Sequence, residues 1–330
     1  MSRESLSLSV AVVGAGLAGL TAARHLHDAG HEVRVFDKVR GAGGRMSTRR
    51  QDGHEFDHGA QFFTVRNESF RSAIERWRSN GLIADWLGSV VKLTHGSAEP
   101  EDTIRPRLVA VPRMSSICGS LIEPRNAAFG IVVSDVEQQA GKWVLHSKEG
   151  RKLGVFDRVI ISTPPSQAVP LLAEAPGIAA QAASVEMLPC WAVLVAFSSA
   201  VAVGWDGAFV ADSPLSWIAR NSSKPGRPIG DSWVLHGSPV WSTDHLADEQ
   251  SFVGNALIDA FFEAIGIPRS EPVARIVHRW RYARTKRQLD VDYLYDAERG
   301  IGVCGDWCRG DRVEDAYLSG LELSRRMAVE

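Results

Sequence analysis

The 330-residue sequence predicts an α/β fold in two parts, a Rossmann-like domain of discontinuous sequence and, inserted into it, a second domain built on a mainly antiparallel sheet plus helices. Three observations carry this prediction. A strand–turn–helix–strand unit opens the chain between Val10 and Lys38, and a strand and helix after Gly300 read as a return to it. Between them, residues 67–106 and 166–289 hold alternating strands and eight of the ten tryptophans (Trp77, Trp86, Trp191, Trp205, Trp217, Trp233, Trp241 and Trp280). The boundaries that follow are 1–66, 107–165 and 290–330 for the nucleotide-binding domain, and 67–106 with 166–289 for the inserted one.

In the opening unit a β-branched strand, Leu6 to Val13, runs into Gly14, Gly16 and Gly19, spaced as GxGxxG around Ala15. The first glycine permits the tight turn, the second lets a pyrophosphate approach the backbone, and the third lets helix and strand pack closely. The helix N-terminus then faces the phosphates. Leu17, Leu20, Ala23 and Leu26 share a helical face, Gly30 stops the helix, and Glu32 to Phe36 forms a strand ending at Asp37, where a ribose-binding carboxylate belongs.

Composition sets the outer limits. Apolar residues make up 45% and charged residues 23%, enough for an ordinary buried core. A formal charge of -2 gives no polyelectrolyte signal, so nucleic acid is not an expected partner. The N-terminal apolar run has Glu4 in its leader and flows into the glycine turn, so it does not read as a signal peptide, and no run is long enough to span a bilayer. Cys118, Cys190, Cys304 and Cys308 match no metal or disulfide framework, which points to a reducing cytoplasm and predicts no metal site.

After Asp37, residues 38–50 (KVRGAGGRMSTRR) form a second glycine-rich turn with Gly44 and Arg45. Its amides and guanidinium suit a diphosphate, and a solvated surface loop would have the same composition. His54, Glu55 and His58 spell HExxH, a zinc motif only on a helix. Gly53 and Gly59 bracket it, so the stretch reads as extended, with Gly59 to Phe62 approaching a cofactor ring. Residues 67–88 have helical spacing, with Phe70, Ile74 and Trp77 on one face, and residues 111–124 read as a turn and a helix ended by Pro124.

Ala127 to Val136, Lys142 to His146 and Phe156 to Ser162 read as strands, the last stopped by Pro164 and Pro165. In the aromatic region Trp191 to Phe197 and Trp233 to Gly237 alternate, as expected of a sheet that faces a flat apolar ligand. The loop at residues 220–227 places Asn221, Lys224 and Arg227 around a Pro-Gly turn, either as a polar pocket rim or as a solvated hairpin tip. His236 is either pocket-facing or a satisfied core histidine.

The C-terminal segment selects among dinucleotides. Gly300 to Cys304 is a strand, Gly305 and Asp306 end it, and a helix begins near Val313 and tolerates Gly320 at about 1 kcal/mol against alanine, which implies close packing. A nicotinamide site needs no such return, whereas FAD extended across a domain does. Asp306 can accept from ribityl hydroxyls, and the helix N-terminus can stabilise the anion of reduced flavin. Arg312, just before that helix, becomes a pocket candidate with Gln61, Phe62 and Asn221.

GAGLAG, Asp37, GAGGR, HGAQFF, Gly305-Asp306 and RVEDAYLSG together resemble the FAD-dependent amine oxidase and desaturase superfamily. WIARNSSKPGR (217–227), HRWRYAR (278–284) and GDWCRGDRVEDAYLSG resemble, more narrowly, the bacterial renalases. This resemblance implies non-covalent FAD, with Ala15, Asp37, Lys38 and Arg45 on the ADP portion and Val133 at the adenine end. It puts Gln61 and Phe62 beside the isoalloxazine and Asp306 and Val313 at its ribityl and pyrimidine side. It also implies hydride transfer from aberrant dihydro isomers of NAD(P)H, such as the 1,2-dihydro form, to flavin, with O2 as the second substrate and NAD(P)+ and hydrogen peroxide as products.

Amine oxidases of the superfamily set a lysine near flavin N5 and often tether flavin through cysteine. The sequence assigns neither, and no catalytic residue. An amine oxidase or desaturase of a small apolar substrate, a non-catalytic flavin-binding scaffold and a flavin-free NADP dehydrogenase stand as alternatives.

Overall fold

The computed structural model describes residues 7–101 and 105–329, so Leu6 and Glu4 lie outside the described residues. The chain divides into two compact units. The first comprises the segment ending at Gly44, Ile117–Glu186 and the segment from Thr285, and the second comprises Arg45–Ser116 and Met187–Arg284.

The first unit is built on a six-stranded sheet in the order Leu294–Asp296, Ile301–Val303, Arg158–Ile161, Ser9–Val13, Glu32–Asp37, Ala127–Phe129. All pairings are parallel except that of the Leu294–Asp296 edge strand. The central strand is Val-rich because parallel strands are covered on both faces, and Val10, Ala11 and Val12 are fully buried. Ala11, Val13, Phe36 and Ile161 join a core with Trp143 and Leu145 of a three-stranded antiparallel sheet, Val133–Gln139, Lys142–Ser147 and Lys152–Phe156.

Helix Leu17–Asp28 packs on helix Val313–Ala328. A Cβ on Gly320 would lie 2.0 Å from the carbonyl oxygen of Ala18, so the closeness implied by that glycine is backbone on backbone.

The second unit holds a seven-stranded sheet in the order Ala274–Thr285, Met187–Phe197, Asp231–Gly237, Leu215–Arg220, Gly207–Val210, Val90–Thr94, Ser97–Pro100. One face packs on helix Gln250–Ile265, with Val253, Leu257 and Phe261 against Trp191, Val195 and Trp233. On the other, Ala192, Leu194 and Val234 meet Phe56 of the hairpin Thr48–Gln51 and His54–Asp57.

Several boundaries differ from those the sequence predicts. Residues 45–66 belong to the second unit because Phe56 buries itself in that unit's core, and residues 107–116 follow because Leu108–Ala110 pairs with Ile83–Asp85. Residues 166–186 belong to the first unit, where Leu171, Leu172 and Ile178 pack into the core with Ile161 and Trp307. The single strand expected over Ala127 to Val136 is two, broken at Gly130 (φ +73), and the helix of residues 67–88 ends at Ser79 ahead of Gly81 (φ +71).

Candidate functional site

At the nucleotide end of the first unit, Gly14 donates from its N–H to the Phe36 carbonyl (2.8 Å) at φ +114. A Cβ there would meet the Ser162 oxygen at 2.5 Å, and one on Gly19 would meet the Gly14 oxygen at 2.3 Å. Both glycines are therefore required by the protein itself. Gly16 is different, because a Cβ on it meets nothing within 4 Å. The helix it precedes has no side-chain cap and no acidic residue in its first turn. An uncapped, unobstructed helix N-terminus is the donor set a diphosphate needs.

The second glycine turn folds onto the first. Gly43 donates to the Ala15 carbonyl (2.9 Å), and Gly44 sits close enough that a Cβ would lie 3.2 Å from the Gly16 Cα. Asp37 fastens this arrangement, its two carboxylate oxygens accepting from the Ala15 N–H (2.6 Å) and the Val39 N–H (2.9 Å). Lys38 Nζ donates to Gln167 Oε1 (2.9 Å), and Val133 is buried in the core at the start of its strand. Arg45 falls in the second unit, where its guanidinium donates to the Ala283 carbonyl (3.3 Å).

Along the same carboxyl edge of the sheet, beyond the strand Ile301–Val303, Asp306 is buried and opens the short helix Asp306–Arg309, and Val313 opens the long C-terminal helix. That helix carries Glu314 and Asp315 in its first turn, and Asp315 accepts from the Arg312 N–H at 3.1 Å. These acids already answer part of the positive helix end, a feature not anticipated from the sequence. Arg312 is exposed. The thiols of Cys304 and Cys308 are buried, with burial pushing Cys304 up to about 12 and Cys308 up as well, so both stay protonated.

The second unit gathers three of the four pocket candidates around Lys224, which the sequence marks only as part of a polar loop. Lys224 is fully buried, its Nζ donating to Gln61 Oε1 (2.9 Å) and Asn221 Oδ1 (3.4 Å), 3.9 Å from the Asp57 carboxylate. Asp57 accepts from Thr48 Oγ1 (2.7 Å), the Met114 N–H (3.0 Å), and Arg227 Nε and Nη2 (2.9 and 2.5 Å). Arg227 donates further to the carbonyls of Ala110 (2.6 Å) and Pro225 (2.7 Å).

Burial pushes the Asp57 carboxyl up, but Lys224, Arg227 and the bonds from Thr48 and Met114 outweigh it and hold it below the usual carboxylate range. Burial also lowers the Lys224 ammonium to about 7, with Asp57 opposing and Arg227 assisting.

The loop at residues 220–227 is therefore no solvated hairpin tip, since Asn221, Lys224 and Arg227 all point inward. Gln61 and Asn221 are also more constrained than pocket-lining residues need be. The Gln61 amide nitrogen donates to the carbonyls of Asp57 and Gly59, while Asn221 accepts from the Asp57 N–H (3.2 Å) and donates to the Glu55 carbonyl (2.9 Å). Both amides hold the chain around Lys224.

Phe62 lies in an aromatic patch with Trp86 (6.1 Å), Trp217 (5.5 Å) and, through Trp217, Phe209 (4.6 Å). Cations border it, with Lys224 Nζ 5.8 Å from the Trp86 ring and the Arg107 guanidinium 5.6 Å from Phe62. Arg107 pairs with Glu101.

The HExxH stretch is a strand, His54–Asp57, and not a helix. His58 packs on His278 (4.7 Å) and Trp280 (4.8 Å), and its carbonyl lies 3.1 Å from His236 Nε2 and accepts from Trp280 Nε1 (2.9 Å). Burial lowers His58 to about 3 and His236 to about 4, so both imidazoles are neutral at physiological pH.

Comparison with known proteins places this geometry in a family. The sequence profile of the NAD(P)-binding Rossmann-like domain matches residues 12–77, and that of flavin containing amine oxidoreductase matches residues 110–328. A 52-residue stretch is 46% identical to 4,4'-diapophytoene desaturase (4,4'-diaponeurosporene-forming) of Staphylococcus aureus strain Newman, covering 16% of this chain and 10% of that protein. The chain thus aligns with only about a tenth of the length of the curated relatives it matches.

In fold, the chain is similar to a putative protoporphyrinogen oxidase from Exiguobacterium sp. 255-15 (TM-score 0.79, 13% identity, covering 100% of this chain and 99% of that one). It is also similar to cyclohexylamine oxidase from Brevibacterium oxydans IH-35A (TM-score 0.76, 13% identity, 98% and 99%).

Proposed function

The chain belongs to the flavin containing amine oxidoreductases, and from that premise we propose that it is an FAD-dependent oxidase of the renalase kind. Its donor would be an aberrant dihydro isomer of NAD(P)H such as the 1,2-dihydro form. FAD, when bound, supplies a two-electron acceptor. The donor gives up one hydride and becomes NAD(P)+, and O2 with one further proton takes the electrons and leaves as hydrogen peroxide.

In this reading the open helix end at Gly16 and Leu17 binds the FAD diphosphate, with Asp37 at the ribose. Lys38, Gly44, Arg45 and Val133 serve the ADP portion, and Asp306 and Val313 serve the flavin side. Expelling hydride restores an aromatic cation, so the donor needs orientation and a flat apolar surface more than a general base. Phe62, Trp86 and Trp217 supply such a surface, with Gln61 and Asn221 holding its backbone and Arg312 a remaining candidate from the first unit.

The observation that carries this reading is the charge around the aromatic patch. Arg107 is a cation and Lys224 becomes one below about pH 7, while the carboxylates of Asp57 and Glu101 are engaged by Arg227 and Arg107. A protonated amine substrate would find repulsion there and no free counter-charge among the described residues. A neutral dihydropyridine ring carrying phosphates suits the same surroundings.

Lys224 favours a second reading. Family members that oxidise amines set a lysine near flavin, and a fully buried amine lowered to about 7 fits that description. Anaerobic stopped-flow reduction of the FAD-loaded protein separates the two. Dihydro-NAD(P) isomers are expected to bleach the flavin in a saturable way, and primary amines are not. Bleaching by amines or apolar substrates, with inert isomers, overturns the proposal.

A further inference from the structure

The three-stranded sheet of the first unit presents a group of side chains that flavin chemistry does not use. Its inner face, with Val136, Trp143 and Leu145, is buried in the core. Its outer face carries Asp135 and Glu137, two residues apart on one strand and so on the same side, and His146 on the neighbouring strand directly opposite Asp135. One ligand-capable atom from each of the three lies within 4.8 Å of the others. Two carboxylates held that close repel unless a cation lies between them.

The protein supplies little compensation. Glu137 accepts a neutral hydrogen bond from Gln139 Nε2 (2.9 Å). Lys152 is the register partner of His146 on the third strand, yet among the described residues neither it nor any other lysine or arginine forms an ion pair with Asp135 or Glu137. Register fixes the three donors on paired strands, so little conformational entropy is lost when they converge on an ion.

We propose that Asp135, Glu137 and His146 form a binding site for a first-row divalent cation, of the class of Zn2+ or Mn2+. One imidazole nitrogen and two carboxylate oxygens suit such ions better than Ca2+ or Mg2+, which prefer all-oxygen sets. Three protein ligands leave positions for water, so the ion ties two strands together and is exchangeable.

No CxxC or HxxxH spacing announces these ligands, because they are spread over a hairpin and meet only through strand pairing. The site is independent of the proposed activity.

Calorimetric titration of the FAD-loaded, chelator-treated protein with Zn2+ and with Mn2+ tests it. One ion per chain is expected, with at least tenfold weaker binding in both His146→Ala and Asp135→Asn. Flavin absorbance and circular dichroism are expected to be unchanged in both variants, whose side chains lie on the outer face of the sheet. No binding of either ion up to millimolar concentration overturns the proposal, and so does binding that both variants retain, which would place the ion at other histidines.

Discussion

Lys224→Met removes one buried amine while keeping most of the side chain's volume, and the consequence for stability can be worked from its surroundings. In the folded protein this group titrates at about 7, against an ordinary value of 10.5. Below 7 both folded and unfolded chains hold the proton, and above 10.5 neither does. Between the two the unfolded chain holds a proton that the native chain has shed, so stability rises with pH by about 1.4 kcal/mol per unit.

From pH 6 to pH 9 that window spans roughly two units, or about 2.7 kcal/mol. With an unfolding entropy of about 2.1 cal/mol/K per residue over the chain, this corresponds to about 4 °C in Tm. His58 and His236 contribute their own rise on the acid side, but it is complete by about pH 6.5 and so adds little between pH 6 and pH 9 in either protein.

Thermal unfolding of FAD-loaded wild type and Lys224→Met, followed by tryptophan and flavin fluorescence at the two pH values, is the assay. Wild type is expected to gain about 4 °C more than the variant between pH 6 and pH 9. Identical pH dependence in the two proteins would refute the buried, weakened ammonium.

Substitutions in each unit probe the two separately. Gly16→Ala is expected to leave the Tm of flavin-free protein unchanged, since its Cβ meets no protein atom, while weakening FAD at least tenfold in a fluorescence titration. Gly14→Ala, strained at φ +114 and in collision with Ser162, is expected to lose stability as well, and a Gly16→Ala protein that binds FAD like wild type would remove the diphosphate from that turn. Arg227→Met leaves the Asp57 carboxylate short of its closest charged partner and is expected to cost about 3–5 kcal/mol in denaturant unfolding. Part of that loss should return when Asp57→Asn is added, because the uncompensated charge is then gone.

What the sequence made legible follows from the range of the interactions involved. The strand at Val10 to Val13, its glycine turn, the helix after Leu17 and the strand to Asp37 are local, and the structure reproduces them nearly residue for residue. The return strand Ile301–Val303 and the helix from Val313 were equally readable because each has its own apolar period and stop signal. The polar network was not readable.

Asp57 lies some 170 positions from Lys224 and Arg227 in the chain, and an NSSKPGR segment has the composition of a surface turn whether its side chains point out or in. The only available hint was the number of hydrogen-bonding residues packed into that short loop. The domain boundaries shifted for a related reason. Phe56 and Leu171 pack where the tertiary structure offers apolar surface, and neither advertises in its own neighbourhood which core it will join.

The network also narrows which groups are left for chemistry. Gln61 spends its amide nitrogen on two backbone carbonyls and its oxygen on Lys224, and Asn221 is bonded through both ends of its amide. Neither is free to read a substrate's hydrogen-bonding pattern without giving up a buried bond, at roughly 1–3 kcal/mol for the group left unsatisfied. On the proposed reading, recognition in the second unit falls to the faces of Phe62, Trp86 and Trp217, with Lys224 beside them as a group that titrates near neutral pH. A substrate that must be deprotonated before it reacts would depend on the neutral form of that amine, and its rate would drop as the pH is lowered through about 7. A dihydropyridine has no proton to surrender before hydride leaves, so its limiting rate of flavin reduction is expected to stay level across the same range, and the pH profile of that one step distinguishes the two readings of the site.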